Sequence, residues 1–321
     1  MKQTFAEWCK MPAEEIVNPS QLESESQHET APARRPYWNL ARRCVRMSLA
    51  VVVGLYLAML LMLTWLETSL VYPAPSVAAA NWNRPDLQFE DVNFTSADGT
   101  ALHGWYFEHP QPRAQLLFCH GNAQQVADLG DWISELRDLY QVSIFVFDYR
   151  GYGKSQGKPT ETGVLQDGEA AQRWLAKRAG IADDEVIVWG LSLGGGIATH
   201  LASELGAKAL ILDRTFHSIV ELAQSIYPWA PIRWLMRNRY PSVERIQNYR
   251  GPLLQIHGPI DEIVPFTSGK QLFDACPSED KRFLELKNFG HLDSPTAEFY
   301  AAVGELIDSV ADPQEPSSAA E

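Results

Sequence analysis

A serine lies at a predicted sharp turn between an apolar strand and an apolar helix. The segment Gly190-Leu191-Ser192-Leu193-Gly194 follows the predicted strand 185–189, and two more glycines lead into the helix. The pattern G-x-S-x-G in this context presents a serine hydroxyl at the edge of a sheet. Glycines, which lack a Cβ, permit the tight turn and the close packing of strand on helix. Ser192 is therefore the candidate nucleophile, although the pattern alone arises by chance roughly once in ten sequences of this length.

A serine hydroxyl attacks well only when a base removes its proton and an acid orients that base. With this kind of turn, the acid and then the histidine follow the serine in the chain. The histidines after the serine are His200, His217, His257 and His291. Only His291, in the loop after the last predicted strand, also follows Asp261, the candidate acid described next. It is therefore the candidate base. Its alternative is an ordinary surface histidine.

The candidate acid is Asp261, in the loop after the predicted strand 252–257. The carboxyl ends of parallel strands are where such sheets place their chemistry. Asp213, at the end of the preceding strand, and Glu262, next in the chain, stay open as alternatives. Asp213 could instead pair with Arg214.

If the serine attacks an acyl carbonyl group, negative charge develops on the carbonyl oxygen. Two backbone N–H groups are normally needed to stabilise that charge. The residue after the nucleophile, Leu193, supplies the first. The second is expected from the loop after the strand 114–119, with Asn122 favoured and Ala123 as the alternative. His120 in the same loop precedes the serine in the chain, and we expect it to hold the loop.

The elements that must position these residues follow from hydrophobic periodicity. From about Leu87 onward, short apolar segments alternate with longer amphipathic ones, which is the pattern of an α/β sheet with crossover helices. The first two strands, joined through Asp98-Gly99, are expected to form a hairpin, and the later ones to be parallel. Strands are predicted at 87–95, 101–108, 114–119, 142–147, 185–189, 208–212, 252–257 and 282–287, and helices near 126–139, 163–179, 193–205, 266–275 and 296–309.

Residues 47–66 carry no charge. Such a run is about 30 Å long as a helix, which is the thickness of the hydrocarbon core of a bilayer. A core helix would show a polar stripe, and a signal peptide would be shorter and nearer the N-terminus, although Ala78-x-Ala80 keeps cleavage as an alternative. We predict a transmembrane helix.

The arginines around this run predict its orientation. Basic residues are concentrated before it, up to Arg46, and the next one is Arg84. The positive-inside rule then places the N-terminus in the cytoplasm and residues 67–321 on the extracytoplasmic side, which is the periplasm in a bacterium.

The predicted organisation has five parts. Residues 1–46 form a disordered tail, of which residues 1–33 are polar and acidic and show no periodicity. The transmembrane helix follows, then a linker over 67–86 and the α/β domain over 87–312. Residues 313–321 form a second disordered tail.

Charge and cysteine content bound the function. With 27 Lys+Arg against 40 Asp+Glu, the net charge is −13, and a nucleic-acid partner is not expected because phosphate backbones need a cationic face. Four cysteines lie far apart without the spacing of a zinc site. We expect neither a metal nor a cofactor, and Cys119 in its apolar run is expected to be a small buried hydrophobe.

Taken together, these motifs resemble the α/β-hydrolase superfamily, in particular its membrane-anchored α/β-hydrolase domain branch, related to lysophospholipase-like and serine-aminopeptidase-like hydrolases. The resemblance runs from about Leu66 to Val310. It implies an α/β-hydrolase fold with an eight-stranded, mostly parallel sheet and a small cap. The motifs are Leu70-Val71-Tyr72-Pro73, His120-Gly121-Asn122-Ala123, the run from Asp148 to Ser155, the serine turn, the Asp261 loop and His291-x-Asp293.

Two segments depart from the family pattern, Gln124-Gln125 after the first loop and Asp213-Arg214-Thr215-Phe216 after the sixth strand. They leave the Ser192, Asp261 and His291 triad intact, but they weaken any transfer of a substrate from relatives.

The segment 214–250 corresponds to the cap that relatives carry over the active site. Its aromatic residues could pack over the sheet or enter a bilayer surface. We therefore expect a membrane-anchored serine hydrolase whose partner is a small-molecule or lipid ester or thioester. A peptidase or amidase, and a non-catalytic binding protein on a hydrolase scaffold, stay as alternatives.

Overall fold

The computed structural model describes residues 35–311. The predicted disorder of residues 1–34 and 313–321 lies outside the described residues. The chain divides into two compact units, one reaching to Leu57 and the other beginning at Ala58.

A long helix, α1 (Arg35–Val71), contains the predicted transmembrane run and extends beyond it at both ends. Residues 35–46, predicted as part of a disordered tail, are helical, and so are residues 67–71, predicted as linker. Pro73 lies just past the last residue of α1 and explains why the helix ends there, because proline cannot continue a helix. Among the described residues, α1 is the one helix long and apolar enough to cross a membrane.

The second unit is built on an eight-stranded sheet with the order β1-β2-β4-β3-β5-β6-β7-β8. The first two strands form the predicted antiparallel hairpin, β2 is also antiparallel to β4, and all other neighbours are parallel. The predicted fold class is confirmed. The strands are β1 (Glu90–Thr95), β2 (Ala101–Phe107), β3 (Gln115–Cys119), β4 (Ser143–Asp148), β5 (Ile187–Leu191), β6 (Ala209–Asp213), β7 (Leu253–His257) and β8 (Lys281–Glu285).

Helices cover both faces of this sheet, so the inner strands β3 to β7 are buried on each side, as their mostly apolar sequences require. One core layer lies under α2 (Val126–Tyr140) and α9 (Ala297–Val310), and the other under α3 (Glu161–Ala179), α4 (Leu193–Glu204) and α8 (Phe266–Ala275). Cys119 is fully buried in the second layer, as expected.

Three short helices between β6 and β7 occupy the segment predicted as a cap. They are α5 (Ile219–Ile226), α6 (Ile232–Leu235) and α7 (Ser242–Arg245). A small separate cluster joins Val220, Ala230 and Ile232 of this cap to Leu60 of α1. The end of α1 is therefore packed into the second unit.

Candidate active site

Ser192 forms the turn between β5 and α4. Its backbone has φ 52° and ψ −114°, a combination that non-glycine residues rarely adopt and that recurs at functional sites. The surrounding glycines are required by close approach. A Cβ on Gly194 would lie 2.0 Å from the carbonyl oxygen of Cys119, and one on Gly190 would lie 2.4 Å from that of Gly194. The turn thus fixes the serine at the carboxyl edge of the sheet.

The structure brings Ser192, His291 and Asp261 together from three separate loops. The hydroxyl of Ser192 lies 3.0 Å from Nε2 of His291, and Nδ1 of His291 lies 2.8 Å from Oδ2 of Asp261. The histidine and the aspartate are buried. Contacts of this length in this order can relay a proton from the hydroxyl to the imidazole and stabilise the resulting imidazolium.

Hydrogen bonds hold Asp261 in its ionised form. Although burial alone would raise its pKa, bonds from His257, from His291 and from the N–H of Val264 together keep the pKa of Asp261 well below its ordinary value. The N–H of Ile263 also donates to the same carboxylate, at 2.9 Å. Because an ionised carboxylate only accepts, Nδ1 of His291 carries the proton, which leaves Nε2 free to accept from Ser192.

Asp213, the alternative acid, is engaged elsewhere. Both of its carboxylate oxygens accept from Arg214, at 2.8 and 3.1 Å. Glu262, the other alternative, contacts the backbone N–H of His291 at 3.5 Å and not its ring. The geometry therefore favours Asp261.

Arg214, expected from the sequence only as a possible partner for Asp213, has further contacts. Its guanidinium also donates to the carbonyl oxygens of His291 and Asp293, at 2.8 and 2.9 Å, and lies over the ring of Phe289. Its φ of 46° is left-handed, and this conformation accompanies the turn of the chain after β6. The Asp213–Arg214 pair thus fixes the loop that carries the candidate base.

A second histidine, considered above only as a candidate base, also contacts the acid. Nε2 of His257, at the end of β7, lies 2.9 Å from the carbonyl oxygen of Val264 and 3.3 Å from Oδ2 of Asp261. Its position directly before the Asp261 loop was visible in the sequence, but only the fold shows that its side chain turns toward the acid. His200 and His217 bond to Glu169 and Ser268 and lie outside this group.

The loop after β3 faces the serine across a cleft of about 360 Å³, lined among others by Asn122, Ser192, Leu193 and His291. Leu193 is the first residue of α4, so its N–H has no acceptor within the helix. In the loop, the N–H of Ala123 donates to Oδ1 of Asn122 at 3.2 Å. This use within the loop favours the N–H of Asn122 as the second donor toward the cleft.

Aromatic side chains hold that loop in place. Tyr149 stacks on His120, at 4.2 Å between ring centres, and its hydroxyl donates to the carbonyl oxygen of His120 at 2.7 Å. Burial lowers the pKa of His120, which keeps it neutral. The hydroxyl of Tyr152 donates to Oδ1 of Asn122 at 2.6 Å, and Gln124, a departure from the family pattern, accepts from the N–H of Gly121 at 2.8 Å.

Within residues 35–311, no group of three histidine, cysteine, aspartate or glutamate side chains could hold a metal ion.

Comparison with known proteins places the chain in a family. A family model described as alpha/beta hydrolase fold matches residues 115–234. An uncharacterized protein of Mycobacterium tuberculosis, Rv2307c, is 34% identical over 260 residues, which span 78% of this chain and 90% of that protein. The chain belongs to the α/β-hydrolase superfamily. The alpha/beta hydrolase domain-containing protein WAV2 of Arabidopsis thaliana is 29% identical over 230 residues, covering 66% of this chain and 75% of WAV2.

Solved structures share the fold at lower identity. The esterase Pf2001 of Pyrococcus furiosus superposes with a TM-score of 0.58 at 18% identity, over 72% of this chain and 96% of the esterase. A monoacylglycerol lipase of Paleococcus ferrophilus has a TM-score of 0.52 at 19% identity, over 65% of this chain and 99% of the lipase. At such identities the likeness concerns the fold of this α/β-hydrolase.

Proposed function

We propose that this α/β-hydrolase is a membrane-anchored serine hydrolase that cleaves carboxylic esters or thioesters through an acyl-enzyme. The observation that carries the proposal is the unbroken chain of contacts from the Ser192 hydroxyl through His291 to Asp261. Structural similarity to proteins named as an esterase and a monoacylglycerol lipase supports ester substrates.

In the first half of the reaction, His291 takes the proton of Ser192 while the serine oxygen attacks the carbonyl carbon. The N–H groups of Leu193 and Asn122 stabilise the negative charge on the carbonyl oxygen. His291 then returns the proton to the departing alcohol or thiol, and the acyl group stays on Ser192.

In the second half, His291 removes a proton from a water molecule that attacks the acyl-enzyme. The carboxylic acid leaves, and Ser192 regains its proton. Asp261 stays ionised throughout, and it holds the imidazole in the tautomer that both halves require.

The membrane arrangement is part of the proposal. Helix α1 anchors the protein, and the arginines before its apolar part place the N-terminus in the cytoplasm and the hydrolase unit on the other side. A reporter fused after the last residue should be active only outside the cytoplasm, and a reporter active only in the cytoplasm would reverse this topology.

The activity is tested with p-nitrophenyl esters and aminoacyl anilides on the full chain in detergent micelles. We expect ester turnover that falls on the order of 10⁶-fold in Ser192→Ala, because the serine and histidine act as one unit. A matched control is Ser309→Ala, an exposed serine on α9, which should keep wild-type turnover. Turnover of the anilides alone would show an amidase, and turnover that survives Ser192→Ala would refute the proposal.

A further inference from the structure

A second cavity adjoins the catalytic cleft. It has a volume of about 260 Å³, and three of its lining residues, Asn122, Ile219 and Leu222, also line the cleft that contains Ser192. The volume approaches the range of roughly 300–1,000 Å³ that is typical of ligand pockets. The two spaces therefore meet beside the candidate oxyanion loop.

One wall of this cavity is the end of α1. Leu63, Thr64, Glu67, Leu70 and Val71 line it. They belong to the same compact unit as the catalytic residues, since that unit begins at Ala58. The helix that carries the predicted membrane anchor is thus also a wall beside the active site.

Hydrogen bonds fix this end of the helix against the cap. Oε1 of the buried Glu67 accepts from the N–H groups of Arg237 and Asn238 at 2.7 and 2.8 Å, and from Nδ2 of Asn238 at 2.8 Å. The side chain of Asn122 donates to the carbonyl oxygen of Val71 at 2.7 Å. The wall is therefore held in register with both the cap and the loop that faces Ser192.

The opposite wall is made by the cap and is apolar. It consists mainly of aliphatic side chains of α5 and α6, including Ala223, Ile226 and Leu235. The transfer of a hydrocarbon chain from water to apolar surface of this kind is favourable. The cavity suits a hydrocarbon chain.

The polar side chains that the helix and the loop contribute have partners within the protein. Thr64 donates its hydroxyl to the carbonyl oxygen of Leu60 at 2.9 Å. The Glu67 carboxylate and the Asn122 amide are bonded as described above. A polar ligand would have to displace these partners, and the loss of the existing hydrogen bonds would cost free energy.

We propose that the last turns of α1 and the cap together form the acyl-chain subsite of this enzyme, which takes the unbranched chain of a long-chain ester. The inference rests on the proposed function and adds that the membrane helix binds substrate as well as anchoring the protein. With the reacting carbonyl at Ser192, the chain extends past Asn122 and Leu222 into the cavity.

Exposed tryptophans flank the same segments. Trp65 of α1 is 81% exposed and Trp234 of α6 is 89% exposed, and tryptophan favours the interface between membrane and water. Each is adjacent in the chain to a residue that lines the cavity. The substrate is accordingly expected to enter from the bilayer.

The test compares p-nitrophenyl acetate with the octanoate and dodecanoate on the full chain in micelles. We expect kcat/KM to rise by about fourfold per added methylene until the cavity is filled, because each buried methylene contributes that factor. Thr64→Trp and Ala223→Trp fill the cavity from its two walls and should lower the dodecanoate-to-acetate ratio at least tenfold.

Matched controls carry the same substitution on the outer surfaces. Leu61→Trp on α1 and Ser225→Trp on α5 replace exposed residues and should keep the wild-type ratio. An unchanged ratio in folded Thr64→Trp and Ala223→Trp, checked by thermal unfolding, would overturn the subsite.

A binding readout separates this inference from the proposed function. A fatty acid with a terminal diazirine should cross-link to peptides within 58–71 and 219–236, and Thr64→Trp, but not Leu61→Trp, should abolish the cap cross-link. Cross-linking to the cap that is equal in both variants would refute the subsite. Loss of ester turnover with retained cross-links would instead refute only the hydrolase proposal.

Discussion

The catalytic cleft and the apolar cavity beside it are built by different means. In the cleft, Ser192, Asp261 and His291 stand on short loops at the carboxyl ends of buried strands, and hydrogen bonds of 2.8 and 3.0 Å link them. The cavity is bounded by short cap helices and one end of α1, with aliphatic contacts. In the proposed function the rigid sheet supplies the chemistry, and in the proposed subsite the cap and the helix select the substrate.

Substitution of the candidate acid should lower turnover more than the other changes considered below. Asp261→Asn should lower kcat on the order of 10⁴-fold for every ester, because an amide N–H facing His291 favours the tautomer whose Nε2 cannot accept from Ser192. Steady-state kinetics with acetate and dodecanoate esters measure it. A loss confined to long esters would contradict this division of roles.

Asp213→Asn is the matched control for that substitution, since Asp213 is also buried. It should lose far less activity but lower the free energy of unfolding by about 3 kcal/mol, because Arg214 keeps a buried charge without its partner. Urea unfolding measures this cost. A greater loss of turnover than in Asp261→Asn would make Asp213 the acid.

A smaller effect is expected from the loop that faces the serine. Tyr152→Phe removes the hydroxyl that bonds to Asn122 and should lower kcat by about tenfold for short and long esters alike, because a misplaced donor stabilises the transition state less well. Tyr140→Phe, whose hydroxyl bonds to Tyr300 away from the cleft, is the control. A length-dependent loss would place Tyr152 in substrate selection instead.

A substitution at the cavity should instead affect long esters more than short ones. Glu67→Ala removes the carboxylate that joins α1 to Arg237 and Asn238, so it should reduce kcat/KM several-fold for dodecanoate esters and much less for acetate. Glu305→Ala, at an exposed position on α9, should change neither. Equal losses on both esters would show that the helix supports the cleft as a whole.

The smallest effect concerns pH and stability. Because the pKa of Asp261 is held below its ordinary value, its ionised form stabilises the folded state above the unfolded pKa of about 3.9, and this contribution disappears as the pH falls through the folded pKa. The difference in unfolding free energy between wild type and Asp261→Asn should therefore narrow below about pH 4. Urea titrations at pH 3 to 7 measure it, and a constant difference would contradict the assigned hydrogen bonds.

The sequence was sufficient for the sheet because its signals are local. All eight predicted strands are present, with ends that differ by up to three residues. The serine turn was recognisable because the glycines around Ser192 are contiguous in sequence. The chain order after it then restricted the base to His291.

What could not be predicted depends on contacts between distant residues. Arg214 reaches the loop at His291 only after the chain turns at a left-handed residue, and Glu67 meets Asn238 across 171 positions. The predicted bounds of the first helix, 47–66, were also too narrow, since α1 covers Arg35–Val71. A run without charges marks apolar surface, whereas a proline marks where a helix can end.

Covalent labelling of the full chain with a fluorophosphonate, followed by peptide mass spectrometry, tests directly whether Ser192 is the nucleophile. We expect a single adduct on Ser192 that is absent in Ser192→Ala and forms much more slowly in Asp261→Asn. An adduct on another residue, or no adduct on a folded protein, would contradict this assignment of the nucleophile.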